Sequence, residues 1–313
     1  MAYKKSPQAF KASINAVTIG TGDSAVTLGG ENVMPLYTFD APIEHRPAVG
    51  IAVSDTGIRT DLPKLDEFYE GATTLLDRAQ KAAQLKEADF LSIVLDAADP
   101  NGDNRSVEDC VAEVKAIADA VDKPLVIEGC KNVEKDTELF SKVAEALQGK
   151  NVLLLSAREE NYKTVRASTV MAYQQKMGAE SADDINLAKQ LNVLITQLGV
   201  DPGSVVMNVG TAAAGYGFEY VVSTMDRVKS AALEQNDGML QMPIVTPVAS
   251  EAWTVKESLV SGDDIPEWGD VEERGIQMEV TTAAACLASG SNAVILMHPE
   301  SVKTISAFVA DLM

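Results

Sequence analysis

Short apolar runs alternate with helical stripes along most of this chain. The runs are Ala48–Val53, Phe90–Leu95, Pro124–Ile127, Asn151–Leu155, a weaker one at Met177–Glu180, Ser204–Asn208, Pro243–Val248 and Asn292–Met297. Most are continuously apolar and rich in β-branched residues, the pattern of a strand buried on both faces. Between them apolar residues recur at the 3.6-residue helical period. One stripe is Val107, Cys110, Val111, Val114, Ile117, Ala118 and Val121. Others are Leu139, Phe140, Val143, Ala144 and Leu147; Leu187, Leu191, Leu194, Ile195 and Leu198; and Val302, Ile305 and Val309. Ser106 to Asp109 opens the first stripe like a capping box, with Asp in place of the usual Glu or Gln.

Eight β units, each followed by a helix, predict an α/β fold of the (β/α)8 TIM-barrel type over residues 41–313. A doubly wound sheet is the structural rival, but it carries a glycine fingerprint after its first strand. Ser54-Asp55-Thr56-Gly57 is no such fingerprint. Residues 1–40 read differently. Ile14–Ile19 and Ala25–Leu28 flank Gly20-Thr21-Gly22-Asp23. That predicts an N-terminal β-hairpin extension, with Met34–Phe39 as a third short strand and the whole as a lid on one end of the barrel. Gly20-Thr21-Gly22 leads into a strand rather than a helix, so it fails the context of a dinucleotide-binding loop.

One connection is long, from Ala249 to Ser291. It holds both tryptophans, Trp253 and Trp268, and an alanine-rich helix near Glu279–Ser289. Long ordered connections are often functional, and tryptophan is enriched at interface hot spots. The segment is therefore either a partner contact or an anchor onto the barrel.

Composition narrows the function. The 313 residues are 46% hydrophobic and 23% charged, as in ordinary water-soluble domains. The net charge of −20 argues against nucleic-acid binding, which draws its baseline affinity from Lys and Arg on phosphates. Three scattered cysteines, Cys110, Cys130 and Cys286, make neither a disulfide framework nor a four-thiolate cluster site. A reducing cytoplasm is the expected compartment. The start, MAYKKSPQAF, lacks the apolar core of a signal peptide, and no run approaches the roughly 18 apolar residues of a membrane span.

Barrel chemistry sits at the C-terminal ends of strands. Those ends supply Ser54 and Asp55; Asp96 and Asp99; Glu128 and Cys130; Ser156 and Arg158; Glu180; Asn208; Thr246; and His298. After the sixth strand comes Gly210-Thr211-Ala212-Ala213-Ala214-Gly215-Tyr216-Gly217. Such a loop either lets a flat ligand approach closely or turns tightly into the next helix. Of the two histidines, His45 precedes the first strand, on the face away from this ring. His298 reads as a helix N-terminal packing residue rather than a general base. Neither has zinc-site spacing. Cys110 and Cys286 lie on apolar helix faces, and Cys130 reads as a structural thiol. Lys131 is the nearest lysine for Schiff-base chemistry.

Several stretches resemble one family: LDAADPNGDNRSVEDCVAEVK (Leu95–Lys115), GCKNVEKD (Gly129–Asp136), ENYKT (Glu160–Thr164), DINLAKQLNVLI (Asp184–Ile195), GYGFEY (Gly215–Tyr220), EAW (Glu251–Trp253), EWGDVEERGI (Glu267–Ile276) and HPE (His298–Glu300). They are similar to the small subunit of the corrinoid iron–sulfur protein of the acetyl-CoA (Wood–Ljungdahl) pathway, whose archaeal counterpart is the delta subunit of acetyl-CoA decarbonylase/synthase. The resemblance spans nearly the whole barrel and keeps its order. It implies a barrel related to pterin-binding methyltransferases, and a heterodimer with a large corrinoid iron–sulfur subunit that carries the cluster and the main corrinoid domain. The corrinoid (cobamide) would be shared between that subunit and this barrel's mouth, with no iron–sulfur cluster in this chain.

The implied work is methyl carriage. A separate methyltetrahydrofolate methyltransferase loads the corrinoid, and CO dehydrogenase/acetyl-CoA synthase receives the methyl group. This chain would cap the corrinoid's reactive face. Asp96, Glu128, Asn208, Thr246 and the loop Gly215, Tyr216 and Gly217 are the residues expected to face the corrinoid, chosen by strand-end position and by the GYGFEY match. The chain departs from the family at Asn208-Val209, where an aspartate–proline pair is common, which puts a proton-transfer role there in doubt. The alternative is a free-standing methyltetrahydrofolate:corrinoid methyltransferase, with Asp96 and Asn208 holding the pterin.

Overall fold

In the computed structural model, which describes residues 6–313, eight parallel strands close into a barrel. The first five residues of the N-terminal extension lie outside the described residues. The barrel strands are β3 (Ala48–Ser54), β4 (Phe90–Val94), β5 (Leu125–Glu128), β6 (Leu153–Ala157), β7 (Lys176–Glu180), β8 (Val205–Asn208), β9 (Ile244–Thr246) and β10 (Ser291–Leu296). They neighbour one another in chain order, and β10 pairs with β3 to complete the ring. This is the TIM-barrel fold; the doubly wound rival is excluded.

Side-chain alternation along each strand builds two cores. Phe90, Val126, Leu153, Val206, Val245 and Ile295 point into the barrel. The alternate residues, such as Ile51, Leu91, Ile127, Leu154 and Val294, point outward against the helices. Both faces of every strand are therefore buried, which is why the strands read as unbroken apolar runs.

The main outer helices are α2 (Leu75–Ala83), which follows a short α1 (Pro63–Phe68), then α3 (Val107–Ala120), α4 (Val133–Ala146) and α5 (Tyr162–Arg166). A π-helical turn, Ala167–Met171, continues α5. Next come α6 (Ile185–Gln197) and α7 (Phe218–Leu233). The long seventh connection holds α8 (Ala249–Ala252), α9 (Lys256–Leu259) and α10 (Val271–Ser289), and α11 (Pro299–Leu312) ends the fold. Caps fix their starts. Ser106 accepts from the Asp109 backbone at α3, Asn132 from Lys135 at α4, and Asp270 from Glu273 at α10.

The alanine-rich helix expected near Glu279 is the second half of α10. Its first turns are polar and contain Gly275, which hides the periodicity. That glycine is needed because a Cβ there would collide with the Trp253 ring.

The N-terminal hairpin exists, with β1 (Val17–Ile19) antiparallel to β2 (Val26–Leu28). Val17, Ile19 and Leu28 are buried with the barrel-interior residues. The Asn151 amide donates to the Thr18 and Gly20 carbonyls at 2.9 Å each, and Asn15 N–H donates to Gln241. Asn151 and Gln241 precede β6 and β9, so the hairpin plugs the N-terminal end of the barrel. The third strand expected at Met34–Phe39 is not a strand. Leu36 has a φ of +61°, and the segment is a chain of turns. Met34 and Leu36 pack against the core, while the exposed rings of Tyr37 and Phe39 meet at a tilt.

A buried ion pair ties this extension to the barrel. Lys229 on α7 donates to Glu31 and to Asn292, each at 2.9 Å, and Asn292 donates to Glu31 at 2.8 Å. Burial opposes ionisation of Glu31, but the Lys229 charge and the Asn292 hydrogen bond outweigh it and hold the carboxyl below its usual range.

Candidate functional site

The C-terminal ends of the strands open into a mouth with two lobes. The first is a cavity of about 520 Å³, walled in part by Ser54, Arg59, Tyr69, Asp96, Glu128 and Lys131. The second, of about 310 Å³, is walled by Ser156, Arg158, Glu180, Asn208, Thr211 and Glu251 among others. Glu128, Gly129, Lys131, Pro247 and Ser250 belong to both, so they form the partition.

Strand parity places Glu128. Val126 points into the barrel, so Glu128, two residues on, points inward at the top of β5. Ser92, buried on β4, donates to its Oε1 at 2.6 Å. Among the described residues that is the side-chain hydrogen bond Glu128 makes. Burial pushes the carboxyl up to about 7; the Ser92 hydrogen bond and the Lys131 charge work against that rise, and Asp96 and Glu180 reinforce it. Asp96 begins the turn after β4, with Oδ2 3.5 Å from Ser54 Oγ. Its pKa is raised by the loss of hydration in the cavity wall, with Lys131 pulling the other way.

Part of the second lobe's wall is paired within the protein. Asn208 donates to Ser156 Oγ at 3.1 Å and accepts from Gly210 N–H at 3.1 Å. Arg158 binds Glu180 through Nη2 at 2.8 Å and donates through Nη1 to the Lys131 carbonyl at 3.2 Å. These bonds fix that part of the wall. In the first lobe Arg59 is held by Asp61 and by the Ser258 carbonyl and lies 5.9 Å from the Trp253 ring centre. Lys131 stands at a φ of +66° at the end of the partition.

Of the expected residues, Asp96, Glu128 and Asn208 line the mouth, Asp96 in the first lobe, Asn208 in the second and Glu128 in both. Thr246 does not. Val245 points into the barrel, so Thr246 points outward, where its hydroxyl meets Ser291 Oγ at 2.5 Å in the layer under α7. Pro247, the next inward position, lines the mouth instead. Gly215, Tyr216 and Gly217 line neither lobe. They stand on the rim, where Gly217, at φ +82°, turns the chain into α7 and the Tyr216 hydroxyl donates to Glu257 at 2.7 Å. Gly210 and Thr211, at the start of that loop, are the members that reach the mouth.

Residues outside the expected set also build the site. Arg158, Glu180 and Ser156 were legible as strand ends. Arg59 and Tyr69 come from the first βα connection and carry no periodic signal. The thiols and His298 take structural roles. All three cysteines are buried, and burial pushes Cys110 up to about 11 and Cys130 and Cys286 up to about 12. His298 caps α11 and is enclosed by Trp253 and Glu272. The two tryptophans differ in burial. Trp253, 5% exposed, anchors the seventh connection, whereas Trp268, 36% exposed, lies between Lys256 and Arg274 on the outer face. Among the described residues no group of His, Cys, Asp and Glu is arranged to hold a metal, and no helix is long and apolar enough to cross a membrane.

Comparison with solved structures returns the same architecture. Dihydropteroate synthase from Xanthomonas albilineans superposes with a TM-score of 0.59 at 14% identity, over 95% of this chain and 98% of its own. The Stenotrophomonas maltophilia enzyme gives 0.55 at 14% identity, over 85% and 93%. At such identity the likeness speaks for the fold alone. Sequence comparison is more specific. The acetyl-CoA decarbonylase/synthase complex subunit delta 1 of Methanosarcina thermophila is 30% identical over 297 residues, covering 94% of this chain and 67% of the relative. Subunit delta of Archaeoglobus fulgidus is 30% identical over 290 residues, covering 91% and 64%. That of Methanothermobacter thermautotrophicus is 30% identical over 302 residues, covering 95% and 75%. Residues 16–299 match the family described as CO dehydrogenase/acetyl-CoA synthase delta subunit, and the chain belongs to that family.

Proposed function

We propose that this chain is the small subunit of a heterodimeric corrinoid iron–sulfur methyl carrier, and that its barrel mouth caps a corrinoid held chiefly by a larger subunit. The observation that carries this reading is the character of the mouth. It is a broad, two-lobed hollow with a polar wall partly paired within the protein, and the thiols and imidazoles lie elsewhere. The three thiols are buried in the core, His298 is enclosed behind Trp253, and His45 belongs to the opposite end, near Gly30. Such a surface offers shape, charge and hydrogen bonds to a ligand whose metal is held from the other side.

The residues present fit a corrinoid's edge, which carries amide groups. Asp96, Glu128 and Asn208 are polar and face the mouth. Apolar Ala52, Ile58 and Met297 line the first lobe as well. When bound, the corrinoid supplies a cobalt centre that accepts and releases a methyl group. This chain's residues orient the ring edge, exclude water and oxidant from the reactive face, and retreat as a body when a partner enzyme docks. The donor would be a methyltetrahydrofolate methyltransferase and the acceptor CO dehydrogenase/acetyl-CoA synthase. Three reduced thiols suit a reducing cytoplasm.

The alternative, a free-standing methyltransferase, asks one pterin ring to reach both Asp96 and Asn208. These residues line different lobes, with the partition between them. The test is the survival of cobalt(I). The heterodimer is expected to resist oxidation much longer than the large subunit alone; equal lifetimes would overturn the capping role.

A further inference from the structure

The outer side of the seventh connection and the loop after β8 present large apolar side chains to solvent. Trp268, Leu259, Tyr216 and Tyr220 are all exposed. Local bonds hold them in place. The Glu257 carboxylate on α9 accepts from the Tyr216 hydroxyl at 2.7 Å, and the Tyr220 ring lies against Gly217. The Trp268 ring centre is 5.2 Å from Lys256 Nζ and 5.5 Å from the Arg274 guanidinium carbon. Beside the ring is a groove of about 380 Å³, lined by Ala214, Trp268 and Met278 together with the carboxylates of Glu257, Asp270 and Glu273. No residue of this groove lines either lobe of the mouth. Clustered exposed apolar side chains rimmed by polar ones mark a surface that another protein covers.

Charge says what kind of protein. From Lys256 to Arg274 the connection carries six carboxylates that are not buried, at Glu257, Asp263, Asp264, Glu267, Asp270 and Glu273, against two cations, Lys256 and Arg274. Arg274 is turned inward, where it donates to the Val260 carbonyl. A second copy of the chain would set this acidic segment against itself, on a molecule whose net charge is −20. A basic surface is the complement.

We propose that the groove beside Trp268 is the anchor of the larger subunit, which inserts an apolar side chain flanked by Lys or Arg between α10 and the loop after β8. The proposal rests on the capping function above. A cap that retreats from its ligand and returns needs a hold outside the mouth, one that survives each retreat. The groove meets that need because it shares no wall with the mouth. Trp268 supplies the large rigid contact area that concentrates binding energy at an interface, and the carboxylates supply the attraction that selects a basic partner.

The experiment measures the affinity of this chain for the purified large subunit, by calorimetry, from low salt to about 0.5 M, where exposed charges are screened. The wild-type affinity should fall at least about tenfold over that range. Trp268→Ala should weaken binding at every salt concentration. Gln277→Arg, which sets a cation at an exposed position of the groove wall, should weaken it most at low salt. Glu257→Gln keeps an acceptor for Tyr216 but removes a charge, and should make the salt dependence shallower. The last two variants carry the test if Trp268→Ala fails to fold. A salt-independent wild-type affinity, or Trp268→Ala and Gln277→Arg that bind as wild type does, overturns the proposal and leaves the capping function standing. Self-association of the lone chain that Gln277→Arg abolishes would make a second copy the occupant and also overturn it. A chain that binds no large subunit at any salt concentration overturns both.

Discussion

Glu272 Oε1 lies 3.1 Å from His298 Nε2, in a site closed to solvent on both sides. The imidazole tautomer follows from its other nitrogen. Nδ1 accepts from the Glu300 backbone at 3.2 Å, so Nε2 carries the proton and donates to Glu272. The same carboxylate accepts from the Lys64 and Leu65 backbones at 3.1 and 3.0 Å, which caps α1. One side chain on the seventh connection thus holds the start of the first helix and the start of the last, next to the wall of the first lobe that Leu65 and Met297 line. Replacing Glu272 by Ala strands three donors, two of them buried. Chemical denaturation should show a loss of about 2–5 kcal/mol, with Glu272→Gln milder because it keeps an acceptor oxygen.

Burial lowers the pKa of His298 below its ordinary value, against the pull of Glu272. The native ring therefore stays neutral while an unfolded one gains a proton. This stability is complete above the unfolded value near 6.5 and is lost as pH falls below it.

Glu128 acts in the opposite direction. Its native pKa of about 7 lies above the ordinary 4.5. The native state keeps a proton that the unfolded chain gives up, so the stability it contributes is full below about 4.5 and is lost as pH rises through about 7. At pH 8 the ionised, half-buried carboxylate costs at most about 3 kcal/mol. Glu128→Gln should therefore stabilise the isolated chain at pH 8 and change it little at pH 4.5, measured as urea midpoints at both pH values.

At the closed end of the barrel, the Lys229–Glu31 pair should be sensitive to removal of one partner. Lys229→Ala leaves Glu31 buried and uncompensated, and should cost about 3–5 kcal/mol in urea unfolding. Its pH dependence has a definite sign. Glu31 is held below its usual range, so its stabilisation is present above the ordinary carboxylate pKa and is lost as pH falls through the lower native value.

Trp268 predicts a binding effect with little folding cost. It is exposed on the outer face beside Lys256 and Arg274, not packed in the core. If the seventh connection meets the large subunit, Trp268→Ala should weaken association at least about tenfold, a loss of about 1.4 kcal/mol, while the melting temperature of the isolated chain stays within a few degrees. Unchanged affinity would place the large subunit away from Trp268.

The barrel was legible because its strands are buried twice over, and burial on both faces writes an unbroken apolar run. Even the weak run at Met177 is a strand, since Gly178 and Ala179 supply little bulk but keep the inward position of Glu180. The segment Met34–Phe39 misled because apolar residues in turns look like a strand when their backbone angles are unknown. Thr246 misled for a related reason. β9 is three residues long, too short for alternation to declare which side faces in. The mouth was readable at Glu128, and a further signal stood in plain view. Ser92 is the polar residue in the apolar run FLSIV, and it is the one that holds the Glu128 carboxyl. The pairing of Asn208 with Ser156, 52 residues apart in sequence, and the reach of Arg59 into the first lobe depend on closure of the ring, which local pattern does not encode.

The central claim is that this chain builds half of a corrinoid site. The direct measurement is the visible spectrum of the chain purified anoxically, once alone and once co-expressed with the large subunit. The account predicts a corrinoid band in the co-purified pair, with the lone chain colourless and unable to bind methyltetrahydrofolate. A lone chain that binds methyltetrahydrofolate and methylates added cobalt(I) corrinoid would contradict it, and would make the mouth an active site in its own right.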